Sequence, residues 1–270
     1  MTTSDARAAG PPELPDLDPG RYDLAGLTSD GFAALVTDSR PFVILLPVGS
    51  VEPHGPHMSL VTDTVISRGA CERAAQRLEQ GPILARIAPS VAYGVTECAA
   101  GFAGAVSVPA EILTDYLGAV MAGFLRTGSD HVCLVNNHLE PDHDRAVRAA
   151  ARRFRPTQAS VACPLTRRWA RTLSDEFKSG ACHAGRYETS IVMARAPALV
   201  DNPVRRQLAD VPISLSDQLR AGISDFAEMG LSRAYAGAPA QASAAEGHDL
   251  LDLLADMIAT EVADALASRG

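Results

Sequence analysis

The segment that most constrains the fold of this chain is an uninterrupted apolar run at residues 42–47, Phe-Val-Ile-Leu-Leu-Pro. A strand with one face in water alternates apolar and polar residues, whereas this run has no polar side. Such a strand is buried on both faces, as in a parallel sheet that helices cover on either side. The run therefore predicts a buried central strand of an α/β fold.

Short apolar runs and helical patterns alternate along the rest of the chain. The apolar runs predict three further strands, at residues 83–88, 131–136 and 158–163. Helical spacing predicts four main helices, at residues 64–78, 109–125, 142–154 and 244–267. This alternation favours an α/β fold with a mostly parallel sheet that is flanked by helices on both faces.

The two ends of the chain differ in composition. Residues 1–20 are rich in Pro, Gly, Ala and Asp and have no apolar period, which predicts a disordered N-terminal arm. Residues 21–270 contain no internal repeat and no clear linker, so we expect them to form a single domain.

Charge and cysteine content exclude several classes of protein. The net charge of −8 argues against a nucleic-acid partner, which would require a basic face. No apolar run approaches the roughly 18–20 residues that span a bilayer, and no secretory signal is visible, so no membrane partner is expected. The five cysteines are widely spaced, which predicts free thiols rather than a disulfide framework or a zinc pair. These features favour a cytoplasmic protein.

The loop that follows the first strand carries candidate metal ligands. Glu52, His54 and, after a short interval, Asp63 offer the oxygen and nitrogen atoms that a divalent metal requires. Residues two apart in an extended loop point to opposite sides. Glu52 and His54 can therefore serve one metal each while Asp63 bridges them. Asp63 also stands where the N-cap of the next helix is expected.

Two later clusters repeat this combination of acid and imidazole. His138 and Glu140 follow the strand at 131–136, although Glu140 can instead cap a helix that begins at Pro141. His183 and Glu188 lie in a third polar segment. There Glu188 can reach the metals, carry a proton or simply cap a helix.

Taken in order, the three clusters resemble the motifs of the creatininase family, the creatinine amidohydrolases and their relatives. The similar segments are 46–57 (LPVGSVEPHGPH) with Thr62 and Asp63, 136–140 (NNHLE), 183–190 (HAGRYETS), and more weakly 235–239 (YAGAP) with 244–247 (AAEG). The resemblance extends from Phe42 to the end of the chain.

The resemblance implies a creatininase-like fold with two divalent metal ions per subunit, zinc first, with manganese or iron as alternatives. It also implies a homo-oligomer, such as a hexamer. By this resemblance Glu52, Asp63 and His138 would hold one metal, and His54, Asp63 and Glu140 the other. Glu188 is the alternative to Glu140 in that last position.

The implied reaction is hydrolysis of a non-peptide C–N bond of a small molecule. A metal-activated water would attack an amide, cyclic amide or formamide carbonyl, with His183 and Glu188 as catalytic proton carriers. Arg186 stands where many relatives have an acid, and it would suit a substrate carboxylate. We therefore expect Arg186 and Tyr187 to bind substrate.

Two other functions remain open at this point. The same scaffold can serve a peptidase that acts on a modified peptide. It can also serve a homologue that binds a ligand without catalysis, although the complete set of acids and imidazoles argues against that hypothesis.

Overall fold

The computed structural model describes residues 20–268, and its central element is a four-stranded parallel sheet. The strands are β1 (Phe42–Val48), β2 (Leu84–Ile87), β3 (His131–Asn136) and β4 (Ala159–Ala162). They lie in the order β2-β1-β3-β4, and every neighbouring pair is parallel. The predicted strands and their parallel arrangement are confirmed.

Ten α-helices accompany the sheet within the described residues. They are α1 (Ser29–Val36), α2 (Thr62–Gln80), α3 (Ala110–Arg126), α4 (Pro141–Ala151), α5 (Arg167–Ala170), α6 (Asp175–Ser179), α7 (Arg186–Arg195), α8 (Asn202–Arg205), α9 (Leu215–Arg220) and α10 (Ala244–Ala267). Short 3-10 turns lie at Leu24–Gly26, Pro197–Leu199 and Pro239–Gln241.

The two faces of β1 explain why its sequence is apolar throughout. Val43 and Leu45 pack into a cluster with residues of α2, α7 and α10 on one side of the sheet. Ile44 and Leu46 pack with residues of α3 and α4 on the other side. All seven residues of β1 are buried. The predicted sheet with helices on both faces is therefore confirmed.

The order of the strands places a topological switch between β1 and β3. The chain leaves β1 for β2 on one side, and after α3 it returns to form β3 on the other side. Loops that leave the carboxyl ends of two such strands diverge and open a crevice, the usual place for ligands in open α/β sheets. Glu52 follows β1 and His138 follows β3, so both lie at this crevice.

The start of α2 differs from the sequence prediction. The helix begins at Thr62 and its N-cap is Val61, which provides no side-chain cap, so the expected N-cap role of Asp63 is wrong. Asp63 is the second helical residue. A Cβ atom at Gly49 would lie 2.7 Å from the Thr64 amide nitrogen, so glycine here lets the loop after β1 approach the start of this helix closely.

Residues 163–237 contain the least regular part of the described chain. The predicted ligand loop at 182–190 becomes helical at Arg186, which places Glu188 in the first turn of α7. Phe226 and Met229 belong to a third apolar cluster beside Cys98. The Phe226 amide donates to the Cys98 carbonyl at 2.9 Å, which joins this segment to the loop between β2 and α3.

The ends of the chain leave two predictions open. The predicted arm at residues 1–20 lies outside the described residues except for Gly20, and the single domain over 21–270 stays a prediction. Between residues 20 and 268, no helix combines the length and apolar character needed to cross a bilayer.

Candidate metal centre

Acidic and imidazole side chains from four separate segments meet beyond the carboxyl ends of β1 and β3. All six are buried, with at most 7% of any residue exposed. We call them the donor cluster, and they are Glu52, His54, Asp63, His138, His183 and Glu188. Segments distant in sequence therefore bring several potential ligands to one place.

Asp63 is shared by two overlapping groups of three potential ligands, and His183 belongs to a further group with Glu52 and His54. His138 Nδ1 lies 3.1 Å from Asp63 Oδ2 and 3.2 Å from Glu52 Oε1. On the other side, His54 Nε2 lies 3.2 Å from Asp63 Oδ1 and 3.6 Å from Glu188 Oε2. Within each group, the three potential ligand atoms lie within 4.8 Å of one another. Asp63 thus offers one oxygen to each group.

Backbone carbonyls orient all three imidazoles of the donor cluster. A carbonyl oxygen can only accept a hydrogen bond, so the ring nitrogen beside it must carry the proton. In a neutral ring the other nitrogen then presents its lone pair, as a metal-ligating histidine does. The bonds run from His54 Nδ1 to the Glu52 carbonyl (3.1 Å), from His138 Nε2 to the Val95 carbonyl (2.7 Å) and from His183 Nε2 to the Pro53 carbonyl (3.0 Å).

The donor cluster contains buried carboxylates whose negative charge its own hydrogen bonds do not fully compensate. Although burial opposes a charged ring, Asp63 and Glu188 raise the pKa of His54 to about 10. Burial raises the pKa of the Glu188 carboxyl to about 8. His54 Nε2 and Asp63 Oδ2 are buried and have no hydrogen-bond partner among the described residues. Buried carboxylates and open imidazole nitrogens in this arrangement fit divalent cations.

Glu140 lies beside the donor cluster but belongs to neither group. Its two carboxylate oxygens accept hydrogen bonds from the Glu97 and Cys98 amides at 3.0 and 3.1 Å. Burial raises the pKa of the Glu140 carboxyl. Glu188 occupies the place in the second group that the family pattern offered first to Glu140.

A cavity of about 430 Å³ is lined by Glu140 and by every member of the donor cluster except His54, and most of its other walls are apolar. The side chains of Leu165, Phe177, Leu219, Phe226 and Met229 contribute to these walls. The His183 ring packs against the rings of His54 and Phe226, with ring centroids 4.6 Å apart in each pair. Burial lowers the pKa of His183 to about 4. The His183 ring is therefore neutral at the cavity wall.

Comparison with known proteins agrees with this geometry. A family model for creatininase, described as creatinine amidohydrolase, matches residues 25–262. The chain belongs to the creatininase family.

Two curated relatives differ in what they are named for. A mycofactocin precursor peptide peptidase from Mycobacterium tuberculosis is 31% identical over 254 residues, covering 90% of this chain and 93% of the relative. Creatinine amidohydrolase from Pseudomonas putida is 30% identical over 103 residues, covering 36% of this chain and 38% of the relative.

Solved creatininase structures share the fold. One described as "Creatininase Mn" has a TM-score of 0.67 at 22% identity and covers 90% of this chain and 98% of its own. A mutant creatininase described as Zn-Zn type has a TM-score of 0.67 at 21% identity, with coverage of 90% and 97%. The predicted creatininase-like fold is confirmed.

In this creatininase-family protein, two residues predicted to bind substrate lie away from the cavity lining. Arg186 Nε donates to Glu246 at 2.6 Å, and 44% of its side chain is exposed. The Tyr187 ring is buried against Phe177, with ring centroids 4.9 Å apart. The first turn of α7 directs Glu188 to the donor cluster, and the helical rotation turns these two neighbours elsewhere.

Two groups at the site have no recognisable sequence signal. The Thr96 hydroxyl donates to Glu52 Oε2 at 2.6 Å, and the Val95 carbonyl orients His138. Both belong to the long loop after β2. A threonine and a backbone carbonyl form no pattern that would reveal these roles from the sequence.

Glu176 is a further acid that sequence reasoning missed. Its carboxylate accepts hydrogen bonds from the Tyr187 amide at 2.8 Å and from the Ala238 amide at 2.7 Å. The adjacent Ala236 amide donates to the His183 carbonyl at 2.8 Å. Glu176 therefore fixes the start of α7 against the segment that holds His183 in place.

Proposed function

We propose that this protein is a metal-dependent hydrolase that cleaves an amide C–N bond with a water activated at the donor cluster. Its membership of the creatininase family supports the hydrolase class. The observation that carries the proposal is the shared position of Asp63, which offers one oxygen to each of two buried groups of ligands.

The donor atoms support two metal ions per subunit. Glu52, Asp63 and His138 would hold one ion, and His54, Asp63 and Glu188 the other. Nitrogen and oxygen donors suit zinc, and manganese or iron are the alternatives. Ions bound here would act as Lewis acids and lower the pKa of a water from 15.7 toward about 7.

Glu140 and His183 are the residues best placed to move protons. Two backbone amides fix the Glu140 carboxylate at the cavity wall, and burial raises its pKa, which suits a group that takes up and returns a proton. His183 is neutral, and its Nδ1 lies 3.7 Å from Glu52 Oε1. Nδ1 can therefore accept a proton and pass it to the leaving nitrogen.

Metal removal and reconstitution test this proposal directly. We expect two ions per chain by elemental analysis, loss of activity after chelation and recovery with zinc, manganese or iron. The assay panel comprises creatinine, a formamide and a short peptide. Full activity of the metal-stripped protein on any of these substrates would overturn the mechanism.

A peptidase is the second candidate. The mycobacterial relative named as a peptide peptidase aligns with 90% of this chain, and the cavity has room for more than a small cyclic amide. Turnover of the peptide alone within the panel would favour the peptidase. Turnover of creatinine or the formamide alone would favour a small-molecule amidohydrolase.

A non-catalytic binding homologue is the third alternative. The two complete groups of donors argue against it. Fewer than one bound ion per chain in the reconstituted protein would favour it. The homo-oligomeric state, the hexamer and the cytoplasmic location stay predictions.

A further inference from the structure

The lining of the cavity separates charge between its buried end and its opening. Its four carboxylates are Glu52, Asp63 and Glu188 of the donor cluster and Glu140 beside it, and all four are buried. Its lysine and arginine side chains are Arg171, Lys178 and Arg220, and all three are exposed. Because exposed side chains border solvent, the cations lie at the opening.

The three cations belong to different elements. Arg171 directly follows α5, Lys178 lies in α6 and Arg220 ends α9. A cation near a helix C-terminus is favoured by the helix dipole, which accounts for the residue types. The helix dipole does not explain why three separate short helices bring their cations to one cavity.

These cations are available to a ligand. Arg171 forms no ion pair with any residue between 20 and 268. Lys178 Nζ lies 3.1 Å from an Asp175 carboxylate that is fully exposed. Arg220 pairs with Asp217 one turn earlier, and both side chains are more than half exposed. Exposed pairs of this kind are weak, so a bound anion can replace them.

We propose that the substrate is an amide with a carboxylate group that is separated from the scissile bond by an apolar segment. This inference rests on the proposed function. The apolar segment lies against walls such as Phe177 and Leu219, and Arg171, Lys178 and Arg220 bind the carboxylate at the opening.

A series of matched probes tests the proposal with the metal-loaded protein. The probes are the N-hexanoyl derivatives of glycine, 4-aminobutyrate and 6-aminohexanoate, each compared with its matching primary alcohol and with the phosphate monoester of that alcohol. Calorimetry gives Kd, and product analysis gives kcat/KM. We expect one spacer length at which the carboxylate binds about tenfold more tightly than the alcohol, and we expect added salt to reduce this preference.

Variants separate the cations from the metals as the carboxylate site. The Arg171→Gln, Lys178→Gln and Arg220→Gln triple variant should lower the preference to less than about threefold, with metal content and alcohol binding unchanged. Each single variant should lower the carboxylate preference in part. The single variants therefore test the same three cations if the triple variant does not fold. Arg40→Gln is the matched control, because Arg40 precedes the opposite end of β1 and pairs with Asp38.

The outcomes distinguish this inference from the proposed function. Equal Kd values for carboxylate and alcohol at every spacer length would overturn the inference, as would a preference that survives in the variants or a stronger preference for phosphate. A carboxylate preference that the variants abolish, without turnover of any probe or panel substrate, would support the anion site and count against the hydrolase.

Discussion

The buried end of the cavity and its opening are built in different ways. Donor groups at the buried end follow β1 and β3 or start helices α2 and α7, and backbone carbonyls orient each imidazole. The opening is formed by short helices of four to six residues with exposed side chains. The potential metal ligands therefore lie at the ends of long elements, whereas the exposed cations lie on short helices, one of which, α6, also holds the start of α7 in place through Glu176.

The largest expected effect is at the buried end, with Asp63→Asn. Asn offers one neutral oxygen where Asp63 offers two anionic ones, so both groups should lose their metal. We expect less than one ion per chain and a fall in kcat/KM on the order of 10³-fold, which corresponds to several kcal/mol of lost charge stabilisation. Elemental analysis and the substrate panel measure both effects. Asp38→Asn, remote from the site, is the control, and normal metal content in Asp63→Asn would contradict the shared position.

The next prediction separates the two glutamates of the buried end. Glu188→Gln should reduce the metal content from two ions to one, because Glu188 belongs to the second donor group. Glu140→Gln should retain both ions and lower kcat by roughly 10²-fold, the lower end of what a general acid–base group contributes. Metal content and kcat, measured on both variants, show which glutamate is the ligand. Loss of one ion in Glu140→Gln, with both ions retained in Glu188→Gln, would make Glu140 the ligand.

Metal binding should depend on pH in a defined direction. Since the pKa of His54 is raised to about 10, both nitrogens of this ring carry a proton in the metal-free protein at pH 7. A ligating imidazole is neutral, so one of these protons must leave when the metal binds. Zinc binding should therefore release protons, and affinity should increase as the pH rises toward 10. Calorimetry at pH 7 in two buffers with different heats of ionisation counts these protons. His54→Ala should release fewer of them, and affinity that falls with rising pH would contradict the assignment.

The smallest expected effect is that of Arg186→Ala. Arg186 pairs with Glu246 outside the cavity lining, and its side chain is 44% exposed. We expect kcat/KM within about twofold of the native value and a loss of no more than about 1 kcal/mol in the free energy of unfolding. Steady-state kinetics and urea denaturation test this. A large rise in KM would restore Arg186 as a substrate-binding residue.

The sequence predicted the sheet well because burial on both faces leaves a strand such as β1 few alternatives. The resemblance to the creatininase family implied that Glu52 and His138 would hold one metal, and the ends of parallel strands are where such sites form. The roles around α7 were harder to predict, because residues 182–190 resemble a loop. A helix that begins at Arg186 turns successive side chains by about 100°, so Arg186 and Glu188 point in different directions.

The cavity walls were beyond sequence prediction. Phe226 and Met229 come from a stretch with no hydrophobic period, so nothing marks them as wall residues before the chain is folded. In the sequence both Glu140 and Glu188 stand near a helix start, Glu140 just before α4 and Glu188 in the first turn of α7. In the folded chain the Glu140 carboxylate accepts from the Glu97 and Cys98 amides, whereas Glu188 accepts from the Ala184 amide and lies beside His54.

The bonds that Glu176 makes to Tyr187 and Ala238 have a consequence for how this chain can tolerate insertions and deletions. Gly237 has a φ of +93°, and a Cβ atom there would lie 2.4 Å from Glu176 Oε2, so the fit is tight on that side. A residue added between Glu176 and Tyr187 would displace His183 from its position in the donor cluster. A residue added near the exposed end of α9 would reshape only the entrance. Substrate range can therefore diversify by changes in loop length while the hydrolytic core keeps its spacing.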